Sequence, residues 1–235
     1  MNFLLTSSGI ANPSIEAELE RLLGKPISES SALIVPTGIY PFSVGGVNAY
    51  QLITGQRQRA FVDAGWKSVG ILELTALTSI RPEAWVPLVE EADALLVWGG
   101  NVMYLNHWMR QTGLADMYPR LDQLVYVGVS AGSIVMTPFN CDADFNLGVA
   151  PDGHEMRELG NSALGLVDFA LCVHYDNPDP IFEDHTMEKV LPWASTLPYP
   201  TYLIDDETAI SVEDGRTRVI SEGHWDRLDG APNEA

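Results

Sequence analysis

Val125-Tyr126-Val127-Gly128-Val129-Ser130-Ala131-Gly132-Ser133-Ile134-Val135 is the stretch whose reading decides the fold. Its first half is apolar and β-branched, which suits a buried strand. The pattern Gly128-x-Ser130-x-Gly132 follows at once, and a helix-compatible run from Ser133 to Met136 comes next, limited by Pro138. Strand, glycine-flanked serine and helix together form the context of a nucleophile elbow. In so tight a turn a Cβ at position 128 or 132 would meet neighbouring backbone, which only glycine avoids. The hydroxyl of Ser130 is then held above the sheet edge, and the N–H of Ala131 points to where an oxyanion would form.

Outward from this point the chain alternates between strand and helix patterns. Asn2 to Ser8 reads as the first strand. Asn12-Pro13-Ser14 starts a helix that runs from Ile15 to Leu23 and closes at Gly24. Ser31 to Pro36 reads as a strand, residues 39 to 48 as an irregular segment, Ala49 to Ala60 as a helix and Val69 to Leu77 as a strand. Pro82 to Ala92 reads as a helix and Ala94-Leu95-Leu96-Val97-Trp98 as a buried strand ending in Gly99-Gly100-Asn101. Helical pieces follow at Tyr104 to Gln111 and Leu114 to Leu121. Residues 138 to 163 read as a long loop, Leu166 to Tyr175 as a strand, and Ile181 to Ser195 as a helix interrupted near Pro192. Thr201 to Asp205, Ala209 to Glu213 and Arg216 to Ser221 read as closing strands. The alternation predicts one α/β domain over 1–235, a mostly parallel sheet with helices on both faces. The site of such a sheet lies at the carboxyl ends of its strands.

Composition narrows the function. The chain has 235 residues with 32 acidic against 13 basic side chains, a formal charge of −19. Phosphate binding needs a basic surface, so neither a nucleic acid nor an anionic membrane is an expected partner. Cys141 and Cys172 do not make a disulfide framework, and no Cys/His cluster has metal-ligand spacing. No basic leader or membrane-length apolar run is present, which predicts a cytoplasmic location.

A serine nucleophile needs a base and a group to orient that base. Of five histidines, His107 falls on an amphipathic helix, His154 in an acidic loop, His185 in a polar, exposed helix and His224 near a late turn. His174 ends the apolar strand Phe169-Ala170-Leu171-Cys172-Val173, where an α/β site is built. Asp205, Asp206 and Glu207 follow Leu203-Ile204 and are the candidate orienting acids; spacing alone does not choose among them. Gly99-Gly100 offers a second backbone donor, with Asn101 also suited to cap the following helix.

Four pieces stand in one order: Gly99-Gly100-Asn101, Gly128-Val129-Ser130-Ala131-Gly132, Leu164-Gly165-Leu166-Val167 leading to His174-Tyr175, and Ile204-Asp205-Asp206-Glu207-Thr208-Ala209-Ile210. This order resembles the peptidase E family of serine peptidases, which includes aspartyl dipeptidase and cyanophycinase. Phe3-Leu4-Leu5-Thr6-Ser7-Ser8 and Leu33-Ile34-Val35-Pro36-Thr37 are similar to that family as well. The resemblance implies a class I glutamine amidotransferase-like fold, with Ser130 as nucleophile, His174 as base, and Gly100 and Ala131 as oxyanion donors. It puts Asp206 at the acid position, with Glu207 as rival. It implies no cofactor, a small peptide substrate and a monomer or homodimer. The family's aspartyl-specific members carry an arginine after the catalytic histidine. Here residues 175 to 200 hold one lysine, Lys189, and no arginine, while Asp176, Asp179, Glu183, Asp184 and Glu188 fill the region. Cleavage without strict aspartyl specificity is therefore the expectation, with Arg157 a more distant source of positive charge. The alternatives are cyanophycinase-like hydrolysis of β-aspartyl-arginine peptides and a non-catalytic binding protein on the same fold.

Overall fold

The computed structural model describes residues 1–56, 61–141 and 162–231. Among the described residues ten strands fall into two sheets. The larger has seven strands in the order β3-β2-β4-β5-β1-β8-β9: β1 (Asn2–Thr6), β2 (Ser31–Val35), β3 (Ser68–Ile71), β4 (Ala94–Val97), β5 (Val125–Val129), β8 (Thr208–Glu213) and β9 (Arg216–Ser221). From β3 to β1 all pairings are parallel, and β8 and β9 add an antiparallel edge. The smaller sheet has the order β10-β7-β6, with β6 (Ala170–Cys172) parallel to β7 (Thr201–Ile204) and β10 (Trp225–Leu228) antiparallel to it.

The side-chain period of two sorts each central strand between two cores. Leu4, Ile34, Leu96, Val125 and Val127 face one side, where Ile15, Leu19 and Leu22 of α1 (Pro13–Leu23) and Leu52 of α2 (Gly45–Ile53) cover them. Phe3, Leu5, Val35, Leu95, Val97 and Tyr126 face the other side. There they meet α3 (Leu74–Leu77), α4 (Val86–Glu91), α5 (Val102–Gln111), α6 (Leu114–Met117) and α7 (Ala131–Ile134). Helices on both faces and a mostly parallel sheet agree with the sequence reading. α1 follows its local signals closely: Asn12 accepts from the Ile15 N–H, Pro13 opens the first turn, and Gly24 at φ 68° closes it.

Several boundaries differ from expectation. The helix expected over Ala49–Ala60 begins at Gly45 inside the segment read as irregular, and ends at Ile53; residues 57–60 lie outside the described set. Val69–Leu77 is not one strand. It pairs with β2 only to Ile71, after which Glu73 caps the short α3 by accepting from the Thr75 N–H. The stretch Leu166–Tyr175 pairs only over three residues, β6. The helix read over Ile181–Ser195 divides into a turn at Pro180–Phe182 and α8 (Met187–Ala194), which contains Pro192. β10 carries no apolar alternation and was not expected. Most of the loop expected over 138–163 lies outside the described residues.

The elbow glycines are fixed by backbone contacts. A Cβ on Gly128 would lie 2.6 Å from the Gly132 carbonyl oxygen, and one on Gly132 2.2 Å from that of Val97. The end of β4 thus packs directly on the turn after β5. Beneath it the buried hydroxyl of Tyr126 donates to the Gly132 carbonyl at 2.6 Å. Gly132→Ala should therefore destabilise the protein by about 3 kcal/mol or more, since backbone on both sides must move. Gly46→Ala, in the helical α2 with open space around its would-be Cβ, should be neutral or stabilising by up to about 1 kcal/mol. Urea denaturation of the two variants checks the contrast.

Candidate active site

Ser130 sits between β5 and α7 at φ 53° and ψ −119°, a conformation that a residue with a Cβ rarely adopts. Its N–H donates to the Thr6 carbonyl, and its own carbonyl accepts from Ser133 and Ile134. The strained turn is therefore held from both sides. Gly99 and Gly100, after β4, pass beside it. A Cβ on Gly99 would lie 3.0 Å from the Ser130 Cβ, and one on Gly100, at φ 127°, would lie 2.1 Å from the Gly38 carbonyl oxygen. Asn101 caps α5, its side chain accepting from the Tyr104 N–H at 2.8 Å.

His174 follows β6, at φ 54°, and is 8% exposed. Its Nε2 lies 3.0 Å from Ser130 Oγ, and its Nδ1 lies 2.7 Å from Asp206 Oδ1. A carboxylate only accepts, so Nδ1 carries the proton and Nε2 is left to accept from the serine hydroxyl. The other oxygen of Asp206 accepts from Asn177 Nδ2 at 2.7 Å, and Ser8 also favours the charged carboxylate. Burial would raise the Asp206 pKa, but the hydrogen bond and charge of His174, with the Ser8 and Asn177 bonds, outweigh it and hold the carboxyl below its ordinary value.

The three neighbouring carboxylates have separate partners. Asp205 binds its own turn, accepting from the Glu207 N–H, the Thr208 hydroxyl and the His224 N–H. Glu207 accepts from Asn12 Nδ2 at 3.2 Å, at the start of α1. Asp206 alone of the three meets His174. Alternating side-chain direction along the turn separates them, and the sequence carries no mark of which one turns inward.

Elements from both sheets meet here. Ser130, Gly99 and Gly100 come from the ends of β5 and β4 in the large sheet, while His174 and Asp206 come from the ends of β6 and β7 in the small one. The sequence reading placed all of these strands in one sheet. The end of β1 joins the two. Ser7 Oγ donates to the Ile204 carbonyl at 3.2 Å and accepts from the His174 N–H at 2.5 Å. In the sequence Ser7 and Ser8 stand out only as the end of the stretch similar to the family, with no site role, and Asn177 not at all; two serines after an apolar strand and one asparagine after a histidine are the available signals.

A cleft of about 810 Å³ opens at this point. Ile39, Phe42, Val44 and Trp98 line one part of it, and Ile181, Phe182, Val190 and Trp193 another. His185, expected on an exposed helix, instead lines the cleft in the turn before α8, its Nδ1 2.6 Å from the Val173 carbonyl oxygen. Its position is set by that long-range bond, which a polar stretch of sequence does not reveal. His107 lies on α5 against Trp108, with ring centroids 5.2 Å apart. His224 lies 3.5 Å from Asp176 and 3.6 Å from Asp226. His154 and Arg157 lie outside the described residues. Among the described lining residues Lys189 is the one lysine or arginine, and its Nζ lies 3.7 Å from Asp184 Oδ1.

A lowered folded-state pKa at Asp206 means that its ionisation stabilises the fold above the unfolded value of about 3.8, and that this contribution is lost as pH falls through the folded value. The stability difference between the wild type and Asp206→Asn should thus be fullest above about pH 4 and shrink in more acidic solution. Denaturation midpoints between pH 2.5 and 7 measure it; a difference that grows towards low pH would contradict the assignment.

The family model described as peptidase family S51 matches residues 3–220. A peptidase E from a Nostoc species is 25% identical over 208 residues, covering 86% of this chain and 76% of the relative. A peptidase E from Streptomyces coelicolor is 33% identical over 94 residues, a local match covering 39% of this chain and 36% of the relative. Among solved structures, a peptidase from an acI-B1 actinobacterium superposes with a TM-score of 0.65 at 17% identity, over 98% of this chain and 91% of that one. A Listeria monocytogenes protein provisionally named a peptidase E superposes with a TM-score of 0.63 at 20% identity, over 94% and 98%.

Proposed function

The chain belongs to peptidase family S51 and is a serine peptidase, and on that footing we propose that it hydrolyses short peptides through Ser130, His174 and Asp206. What carries the reading is one unbroken chain of contacts: 3.0 Å from Ser130 Oγ to His174 Nε2 and 2.7 Å from His174 Nδ1 to Asp206. His174 takes the hydroxyl proton as Ser130 Oγ bonds to the scissile carbonyl carbon. Asp206 keeps the imidazole in the tautomer that can accept that proton, and stabilises the imidazolium that results. The N–H groups of Gly100 and Ala131 receive the oxyanion. His174 then gives the proton to the leaving amine, and water, activated by the same imidazole, releases the acyl group from Ser130.

The proposed substrates are small because a cleft of this size suits a ligand of a few residues. Their cleavage-site side chains are neutral or basic. An aspartyl side chain buried there would lose its hydration and find, among the described lining residues, Lys189 as the one lysine or arginine, which already has Asp184 beside it. Like charge from Asp184 and Asp206 would add repulsion.

Ser130→Ala should lower kcat by on the order of 10⁴-fold or more while leaving the denaturation midpoint close to that of the wild type. Asp206→Asn should cost on the order of 10³–10⁴-fold, through the wrong imidazole tautomer, and Glu207→Gln far less. Steady-state kinetics on an unblocked dipeptide measure all three, and the reverse ranking of the two acid variants would move the orienting role to Glu207.

Specificity is tested by kcat/KM for Asp-Leu against Ala-Leu, Leu-Leu and Lys-Leu. Asp-Leu should be the poorest of the four. A clear preference for Asp-Leu would mean that a cation outside the described lining reaches the cleft.

A further inference from the structure

The turn between β6 and α8 folds back over the imidazole of His174. The Phe182 ring lies against that imidazole, with centroids 4.1 Å apart and planes within 24°. His185 completes a triangle of rings, 5.4 Å from Phe182 and 6.4 Å from His174. The turn itself is tightly specified: Asp179 caps it by accepting from the Ile181 N–H, and the His185 N–H donates to the Phe182 carbonyl.

His185 also grips the chain on both sides of His174. Its Nδ1 lies 2.6 Å from the Val173 carbonyl oxygen, and its own carbonyl accepts from the Asp176 N–H at 2.9 Å. A carbonyl cannot donate, so His185 Nδ1 carries a proton. His174, between these two anchors, and Asp176, at the second, both hold φ at 54°. Such a backbone persists only where surrounding contacts over-determine it.

We propose that Phe182 and His185 are positioning residues for the reaction. Phe182 presents an aromatic face to the His174 imidazolium as it forms, and His185 holds both that face and the strained histidine in register. The proposal rests on the reading of His174 as the base. At rest the His174 ring is neutral, with its proton on Nδ1. When Ser130 Oγ bonds to the carbonyl carbon, the hydroxyl proton passes to Nε2, the ring becomes cationic and the carbonyl oxygen becomes anionic, so total charge is conserved. A cation over an aromatic face is attracted to the ring's negative centre, and a neutral imidazole much less so. The stack therefore favours the transition state over the resting enzyme and acts on kcat. Burial of an aliphatic side chain in the same place would exclude water equally well but supply none of that attraction.

The test replaces Phe182 with phenylalanines carrying one, two, three and five ring fluorines, which keep its shape while draining the negative face. kcat on an unblocked dipeptide should fall stepwise, by about 2- to 30-fold over the series, with KM nearly constant. Phe182→Leu should lie at the low end. His185→Leu should lose kcat to a similar degree, and His185→Asn, which can still donate to the Val173 carbonyl, should recover most of it. A flat kcat across the fluorinated series, or a loss confined to KM, would overturn the proposal and make Phe182 a wall that touches substrate. His174→Ala is run beside them. If it kept wild-type kcat, the reading of the base itself would fall; if it were inactive while the fluorinated series stayed flat, only the role of Phe182 would.

Discussion

The three residues that end β1 and leave it, Thr6-Ser7-Ser8, tie together parts of the site that the chain delivers from four distant places. Thr6 donates through its hydroxyl to the Gly128 carbonyl, and its carbonyl accepts from the Ser130 N–H and the Ser133 hydroxyl. Ser7 bonds the end of β7 and the N–H of His174, and Ser8 favours the charged carboxylate of Asp206. Each of these backbone groups is buried or partly buried, and a buried polar group without a partner costs about 1–3 kcal/mol. Small hydroxyl side chains solve this because each accepts and donates within one short reach. An apolar side chain at Ser7 would strand the His174 N–H, while the Ile204 carbonyl would keep its bond from the Tyr175 N–H.

The same tie explains how two sheets can share one cleft. β1 lies between β5 and β8 in the large sheet, next to the strand that carries Ser130. Its carboxyl end projects to the small sheet, whose β6 and β7 carry His174 and Asp206. Both ring nitrogens of His174 are then used, one towards each sheet. The backbone pays at Ser130, His174 and Asp176, all at positive φ, each of which costs on the order of 1–3 kcal/mol. Every one of these residues is gripped by hydrogen bonds at or beside its own peptide groups, from Thr6, Ser7 and His185.

What could be read from the sequence was what is local. The elbow needs glycine at 128 and 132 because of contacts within a few residues and with the adjacent β4, and such contacts leave a spacing pattern. The caps of α1 at Asn12 and Gly24 are local for the same reason. His174 was legible because it follows an apolar strand. The choice of Asp206 over Asp205 and Glu207 came from the family resemblance and not from spacing, since the direction of a side chain in a turn is set by distant partners such as Asn12 and Asn177. The small sheet and the grip of Ser7 depend on contacts between residues far apart in the chain, and the inward turn of His185 on a bond to the Val173 carbonyl that its polar neighbours do not announce. Val69–Leu77 misled for a related reason: its apolar composition suits a strand, but only Val69, Gly70 and Ile71 of it pair with β2, and Glu73 then starts a helix.

The central claim is that Ser130 is a nucleophile activated by His174, and covalent labelling reads it most directly. The protein is incubated with a small fluorophosphonate at neutral pH, digested and mapped by mass spectrometry, in the wild type and in His174→Ala. The account predicts one phosphonyl group per chain, on Ser130, and labelling of His174→Ala slowed by at least about two orders of magnitude. An unlabelled Ser130 in folded wild-type protein, or equal labelling rates in the two proteins, would contradict it.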